Sequence, residues 1–220
     1  MSKSVYLSPS MQENNTGVLN YGTEEARMNQ VADVVQRVLQ SHGVDVYRNR
    51  PEWSLGQAVN DSNRVKPNLH FCIHSNAGGG RGAEIYAYAP GGEGEKAAKL
   101  IYAEIAAITP TADRGVKFNP SLYELRNTNA PAALVEVAYH DNAEDATWIM
   151  NNIEAIGIAL TKGILKYFEI AYKDPEDTQI DTKILYRVMA GSYSIKENAE
   201  NQVRKLNNAG FDAVVMTFSK

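Results

Sequence analysis

The 220-residue chain has one cysteine, Cys72, so no internal disulfide can staple it. Cys72 sits inside an apolar run, a place that suits core packing rather than redox chemistry. Excess positive charge is also missing. A formal net charge of −4 gives no electrostatic case for nucleic acid or an anionic membrane as partner. No apolar stretch has the length of a membrane span or of a signal-peptide core. The opening residues Met1-Ser2-Lys3-Ser4 lead straight into a short apolar run. The expectation is therefore synthesis in the cytoplasm without a signal peptide, with the place of action left open. Histidine is scarce as well, with four in the chain, so each one can be weighed individually.

What is present has an ordinary globular balance, 44% hydrophobic and 22% charged residues. Val5-Tyr6-Leu7 reads as a buried strand. Thr23 is an N-cap for a helix whose Met28, Val31, Ala32, Val35, Val38 and Leu39 recur at helical spacing, with Gly43 ending it. Val44 to Tyr47 is a second strand, and Leu55, Val59 and Val65 mark a shorter helix. Pro67 stops that segment, and Leu69 to His74 forms a strand apolar enough to be buried on both faces. Ala83 to Tyr88 alternates as a fourth strand. Ala97, Leu100, Ile101, Ile105 and Ile108 give a helix ending at Pro110. Leu122 to Leu125 is expected to be an edge strand, and Pro131 to Tyr139 a last buried one. A helical stretch then runs to Phe168, broken near Asn151-Asn152. Strands alternating with helices predict an α/β fold with a mostly parallel sheet sandwiched by helices.

Candidate chemistry follows from residues that break these patterns. His74 ends a buried strand and is followed by small residues and glycines, where ligands and catalytic groups sit in open α/β sheets. A hydrogen-bonded core histidine is the alternative reading. Helical steps back from Met28 and Ala32 place Glu25 on the buried stripe, in the first turn, where an inward carboxylate needs a partner such as a metal; favourable charge at a helix start also accounts for an acidic residue there. Glu136 interrupts a run of Ala, Leu and Val, and burial would move its pKa toward the range of a general acid/base; a buried salt bridge is the alternative. If the strand continues, His140 shares a face with Glu136; it could equally be a surface histidine. His70 lies about 13 Å along the strand from His74 and is read as structural, and His42 as a residue of a helix C-terminus. One histidine and two carboxylates, with His140 as a second imidazole, suit a hydrolytic zinc site that keeps one position for water.

Three segments carry a resemblance. Thr23-Glu24-Glu25-Ala26-Arg27-Met28-Asn29, Phe71-Cys72-Ile73-His74-Ser75-Asn76-Ala77 and Leu134-Val135-Glu136-Val137-Ala138-Tyr139, with Arg114-Gly115-Val116-Lys117, resemble the motifs of the zinc-dependent N-acetylmuramoyl-L-alanine amidases of the amidase-3 type. The resemblance covers Val5 to Phe168. It implies cleavage of peptidoglycan between muramic acid and L-alanine, Zn2+ as cofactor, Glu25 and His74 as zinc ligands, and Glu136 as the catalytic carboxylate. The family's first histidine ligand is missing: the matching position is Met11, beside Gln12. The third ligand is therefore open between Gln12 and His140, with His140 favoured because imidazole is the better donor. Asn76, Arg126 and Asn127 are expected to contact substrate.

The tail completes the expected organisation. Residues 1–168 form the catalytic domain, 169–182 an acidic linker, and 183–220 a small βαβ unit. That unit has a strand over Tyr186–Ala190, a helix with Ala199, Val203 and Leu206 on one face, Gly210 as its C′ residue, and a closing strand Ala213–Met216. It resembles one repeat of a SPOR domain, which implies peptidoglycan binding. A single repeat is too small to bury much core, so two chains are expected to pool their tails in a homodimer. The functional expectation is a phage or prophage endolysin, or a mother-cell lysis autolysin, acting on the cell wall after release. The alternatives are a peptidoglycan-binding protein with a degenerate metal site, and a zinc peptidase of the stem peptide.

Overall fold

A computed structural model of the chain describes residues 2–174, 190–211 and 213–215. Among the described residues, six strands and seven helices follow in the order β1 (Ser4–Pro9), α1 (Glu24–Ser41), β2 (Asp45–Arg48), α2 (Leu55–Val65), β3 (Leu69–Asn76), β4 (Ala83–Ala87), α3 (Glu93–Ala106), β5 (Asp113–Phe118), α4 (Tyr123–Asn127), β6 (Ala132–Tyr139), α5 (Ala143–Asn151), α6 (Ile153–Tyr167) and α7 (Lys196–Asn208). The sheet order is β2-β1-β3-β6-β4-β5. Every pairing is parallel except β4 with β6. The mixed α/β architecture with a mostly parallel sheet is the one the alternation of strands and helices predicts.

The two faces of the sheet are covered unequally. Leu69, Phe71 and Ile73 of β3, with Val5, Leu7, Val135 and Val137, pack into one large core against α1, α3 and α6. Alternation along β3 sends Cys72 to the other face, into a small cluster with Leu125, Ala132 and Leu134. The short helices α2 and α4 lie over that second face, through Ser62, Glu124 and Leu125. The large core depends on close helix approach. A Cβ on Gly163 of α6 would stand 2.3 Å from the Ile101 Cα of α3, so only glycine admits this packing.

Local signals account for most boundaries. Thr23 Oγ1 accepts from the Ala26 amide at 3.1 Å and starts α1. Ser54 and Gln57 form a capping box at the start of α2. The break between α5 and α6 falls at Asn152. One expected element is corrected: Leu122–Leu125 is no edge strand. Tyr123–Asn127 forms one helical turn that lays Glu124 and Leu125 on the sheet, and the strand at the edge beside β4 is Asp113–Phe118. That strand has neither a clean alternation nor a long apolar run, and Gly115 in its middle has φ 81°.

The chain divides into two compact units, Met1–Thr178 and Gln179–Lys220. In the second, α7 ends in a Schellman motif. Gly210 takes φ 87°, its amide reaches the Asn207 carbonyl, and the Phe211 amide reaches the Leu206 carbonyl, both at 3.0 Å. Most of the linker and of the expected strand Tyr186–Ala190 lies outside the described residues, as does Met216. Ala213–Val215 are in irregular backbone. No helix among the described residues is long and apolar enough to cross a membrane.

Candidate active site

The site lies at the carboxyl ends of β3 and β6, where the N-terminus of α1 reaches the sheet edge. His74 Nδ1 meets Glu24 Oε1 at 2.8 Å, and both residues are buried. The inward carboxylate of α1 is thus Glu24 and not Glu25, which is half-buried one position along. Steps of four from Met28 and Ala32 lead to Glu24, steps of three from Met28 to Glu25; the packing of α1 selects the former. Glu24 Oε2 takes a hydrogen bond from Asn15 Nδ2 at 2.6 Å, and Oε1 also faces the Ser75 amide at 3.4 Å.

Glu136 is the direct neighbour of His74 across the β3–β6 pair, and of Glu84 across the β6–β4 pair. Its Oε2 is buried without a hydrogen-bond partner among the described residues, while the residue as a whole keeps some exposure. Burial raises its carboxyl to about 7; the charge of His74 pulls the other way, and the carboxylates of Glu24 and Glu84 push it up further. For His74, burial alone would lower the pKa, but its hydrogen bond to Glu24 and the fields of Glu136, Glu24 and Glu124 lift it to about 9. Glu24 itself is depressed: burial works against its charge, but hydrogen bonds from His74, Ser10 and Asn15 outweigh it.

Glu84 forms a second layer behind Glu136. Its Oε1 accepts from Asn76 Nδ2 at 2.7 Å and the Tyr86 hydroxyl at 2.9 Å, and its Oε2 from Arg114 Nε at 2.7 Å and from Lys117 Nζ. These bonds hold the carboxylate ionised despite burial. Arg114 also stacks over Tyr139, 5.1 Å from its centroid. The sequence gives no sign of this role for Glu84, because an acid within an alternating strand reads as solvent-facing.

His140 does not join His74. The β3–β6 register shifts between His74–Glu136 and Asn76–Tyr139, so β6 carries an extra residue there. Such a bulge reverses the side-chain alternation beyond it and turns His140 toward the face opposite Glu136. Both its ring nitrogens are engaged: Nδ1 with Ser75 Oγ at 2.9 Å, and Nε2 with Asn15 Oδ1 at 3.1 Å. Gln12 is exposed in the loop between β1 and α1, beside an open cleft that Met11, Asn15 and Trp53 also line. Of the expected substrate contacts, Asn76 adjoins Glu136 through Glu84. Asn127 does not: its carbonyl accepts from Asn63 near the start of β6, at the other end of the sheet. Arg126 is exposed on α4.

A second metal-compatible group lies deeper under the same face. Ligand atoms of His70, Cys72 and Glu124 are within 4.8 Å of one another, all buried. These groups satisfy each other without an ion. His70 Nε2 meets Glu124 Oε1 at 3.2 Å, His70 Nδ1 meets Ser62 Oγ at 2.9 Å, and Ser8 Oγ donates to Glu124 at 2.5 Å. Both ring nitrogens of His70 are thus engaged within the protein.

At the carboxyl ends of β3 and β6 the candidate donors are the imidazole of His74 and the carboxylates of Glu24 and Glu136, residue types that zinc accepts, and one oxygen of Glu136 has no hydrogen-bond partner among the described residues.

The chain is 28% identical over 96% of its length to N-acetylmuramoyl-L-alanine amidase CwlM of Bacillus licheniformis, covering 84% of that protein. It is 25% identical, with the same coverage of 96% and 84%, to the sporulation-specific N-acetylmuramoyl-L-alanine amidase of Bacillus subtilis (strain 168). Its fold is similar to the catalytic domain of CwlV, N-acetylmuramoyl-L-alanine amidase from Bacillus (Paenibacillus) polymyxa var. colistinus. That match has a TM-score of 0.71 at 22% identity and covers 77% of this chain and 99% of that one. Residues 5–166 match the Amidase_3 family, and the chain therefore belongs to the N-acetylmuramoyl-L-alanine amidases.

Proposed function

We propose that the chain hydrolyses peptidoglycan at the amide between N-acetylmuramic acid and L-alanine, using a zinc ion held by Glu24 and His74. The carrying observation is the convergence of His74, Glu24 and Glu136 at the carboxyl ends of β3 and β6, with Glu136 Oε2 buried and without a partner among the described residues. A zinc ion bound there supplies Lewis-acid polarisation and lowers the pKa of water. The protein's own residues do the rest. Glu136, held near neutrality at about 7, takes a proton from the attacking water on its carboxylate and returns it to the departing alanine nitrogen. Glu24, kept ionised by its hydrogen bonds, holds His74 in one ring orientation. Glu84, held ionised by Arg114 and Lys117, keeps a negative field behind Glu136 and so favours its protonated form.

The third zinc donor in this reading comes from the loop that carries Gln12, since the extra residue in β6 turns His140 to the face opposite Glu136. The tail is read as a peptidoglycan-binding unit, and similarity over 96% of the chain to an amidase named as sporulation-specific supports an autolysin over an endolysin. The test is digestion of purified murein with zinc supplied, followed by mass spectrometry of the released fragments. Intact stem peptides with L-alanine at the amino end are expected. New termini inside the stem peptide would instead identify a peptidase, and intact murein would leave a binding protein. Metal analysis should find about one zinc per chain, lost on Glu24→Ala and on His74→Ala.

A further inference from the structure

Five buried or half-buried groups form a continuous hydrogen-bonded path that ends on Glu24. Tyr21 OH lies 2.8 Å from Ser75 Oγ, Ser75 Oγ 2.9 Å from His140 Nδ1, and His140 Nε2 3.1 Å from Asn15 Oδ1. Asn15 Nδ2 lies 2.6 Å from Glu24 Oε2, and Glu24 Oε1 is on His74. For a neutral His140 ring the direction of every bond follows. An ionised carboxylate only accepts, so the amide of Asn15 must present its NH2 to Glu24. Its oxygen then faces His140, which must donate from Nε2. With that proton placed, Nδ1 of the neutral ring is an acceptor, so Ser75 donates to it. Ser75 is left to accept from Tyr21.

We propose that His140 is a positioning residue: it fixes the amide of Asn15, and through Asn15 it holds the second oxygen of Glu24, so that the first stays on His74. This rests on the reading of Glu24 and His74 as the zinc pair. Packing supports it independently. Tyr21 stacks on the His140 ring with centroids 5.5 Å apart. The Val18 amide donates to the His140 carbonyl at 2.9 Å, and the Glu24 amide to the Asn15 carbonyl at 2.8 Å. A Cβ on Gly17 would stand 2.5 Å from the Tyr21 ring and 2.8 Å from the His140 carbonyl, so only glycine lets the loop close over the ring. The loop between β1 and α1 thus carries Asn15 in register with both His140 and Glu24.

The experiment uses the full chain. Nitrogen-15 spectra of the zinc-free protein report the His140 tautomer, and competition with a chelator reports zinc affinity. The Nε2–H tautomer is expected. Asn15→Ala and His140→Asn should each weaken zinc binding by about 10- to 100-fold, the usual effect of removing a group that orients a metal ligand. His140→Gln, whose amide nitrogen can still donate to Asn15, should bind close to wild type, and the Asn15→Ala/His140→Asn double variant no worse than either single one. An Nδ1–H tautomer overturns the proposal, as does wild-type affinity in both Asn15→Ala and His140→Asn. Equal loss in His140→Gln and His140→Asn also overturns it, since packing alone would then explain the residue. A wild-type chain that takes up no zinc refutes the metal reading instead, and the tautomer then decides the path by itself.

Discussion

Replacing Glu136 with glutamine should inactivate the protein and at the same time stabilise its zinc-free form, in a pH-dependent way. The carboxyl titrates at about 7 in the folded chain against 4.5 for an ordinary glutamate. A pKa raised by folding means that the folded state holds the proton more tightly than the unfolded chain. The stability contribution is complete below about 4.5 and is lost as pH rises through about 7. A difference of roughly 2.5 units at about 1.36 kcal/mol each gives about 3 kcal/mol, an upper value because part of the residue faces solvent. Glutamine has the same shape and no charge to bury. Urea melts of the zinc-free proteins should therefore nearly coincide at pH 4, while at pH 8 the Glu136→Gln protein is more stable by about 1–3 kcal/mol. Murein cleavage should fall by about 10²- to 10⁴-fold, the usual contribution of a general acid/base. A stability difference independent of pH, or a variant less stable at pH 8, would refute the burial argument. Retained cleavage would refute the catalytic role.

Glu24→Ala should abolish zinc uptake while Glu25→Ala leaves it near wild type, measured by metal analysis after dialysis; the reverse would mean that α1 presents its other face. Glu124→Ala should cost about 3–5 kcal/mol in urea melts, because it leaves His70 buried without its partner. Gly163→Ala should cost about 1–3 kcal/mol, since its Cβ would strike the α3 backbone. A chain ending at residue 182 should still cleave soluble fragments but sediment less with intact murein; loss of cleavage would make the tail part of the catalytic fold.

Much of this was open to reading from residues alone. The alternation of strands and helices, the stripe from Met28 to Leu39 and the buried run ending in His74 determine the sheet and its covering helices, because apolar periodicity dictates which surfaces must be buried. A carboxylate at Glu136 inside an apolar strand announces chemistry for the same reason. Tertiary structure alone decided the rest. Glu24 and Glu25 are both compatible with the helical stripe, and only the docking of α1 against His74 separates them. One extra residue in β6 turns His140 from a candidate ligand into a partner of Ser75 and Asn15. Asn127 and Asn76 both sit beside recognisable motifs, yet the sheet carries them to opposite ends. Asn15 and Tyr21 lie in a loop with no period, so their meeting with His140 and Glu24 follows from close packing around Gly17, which no local pattern encodes.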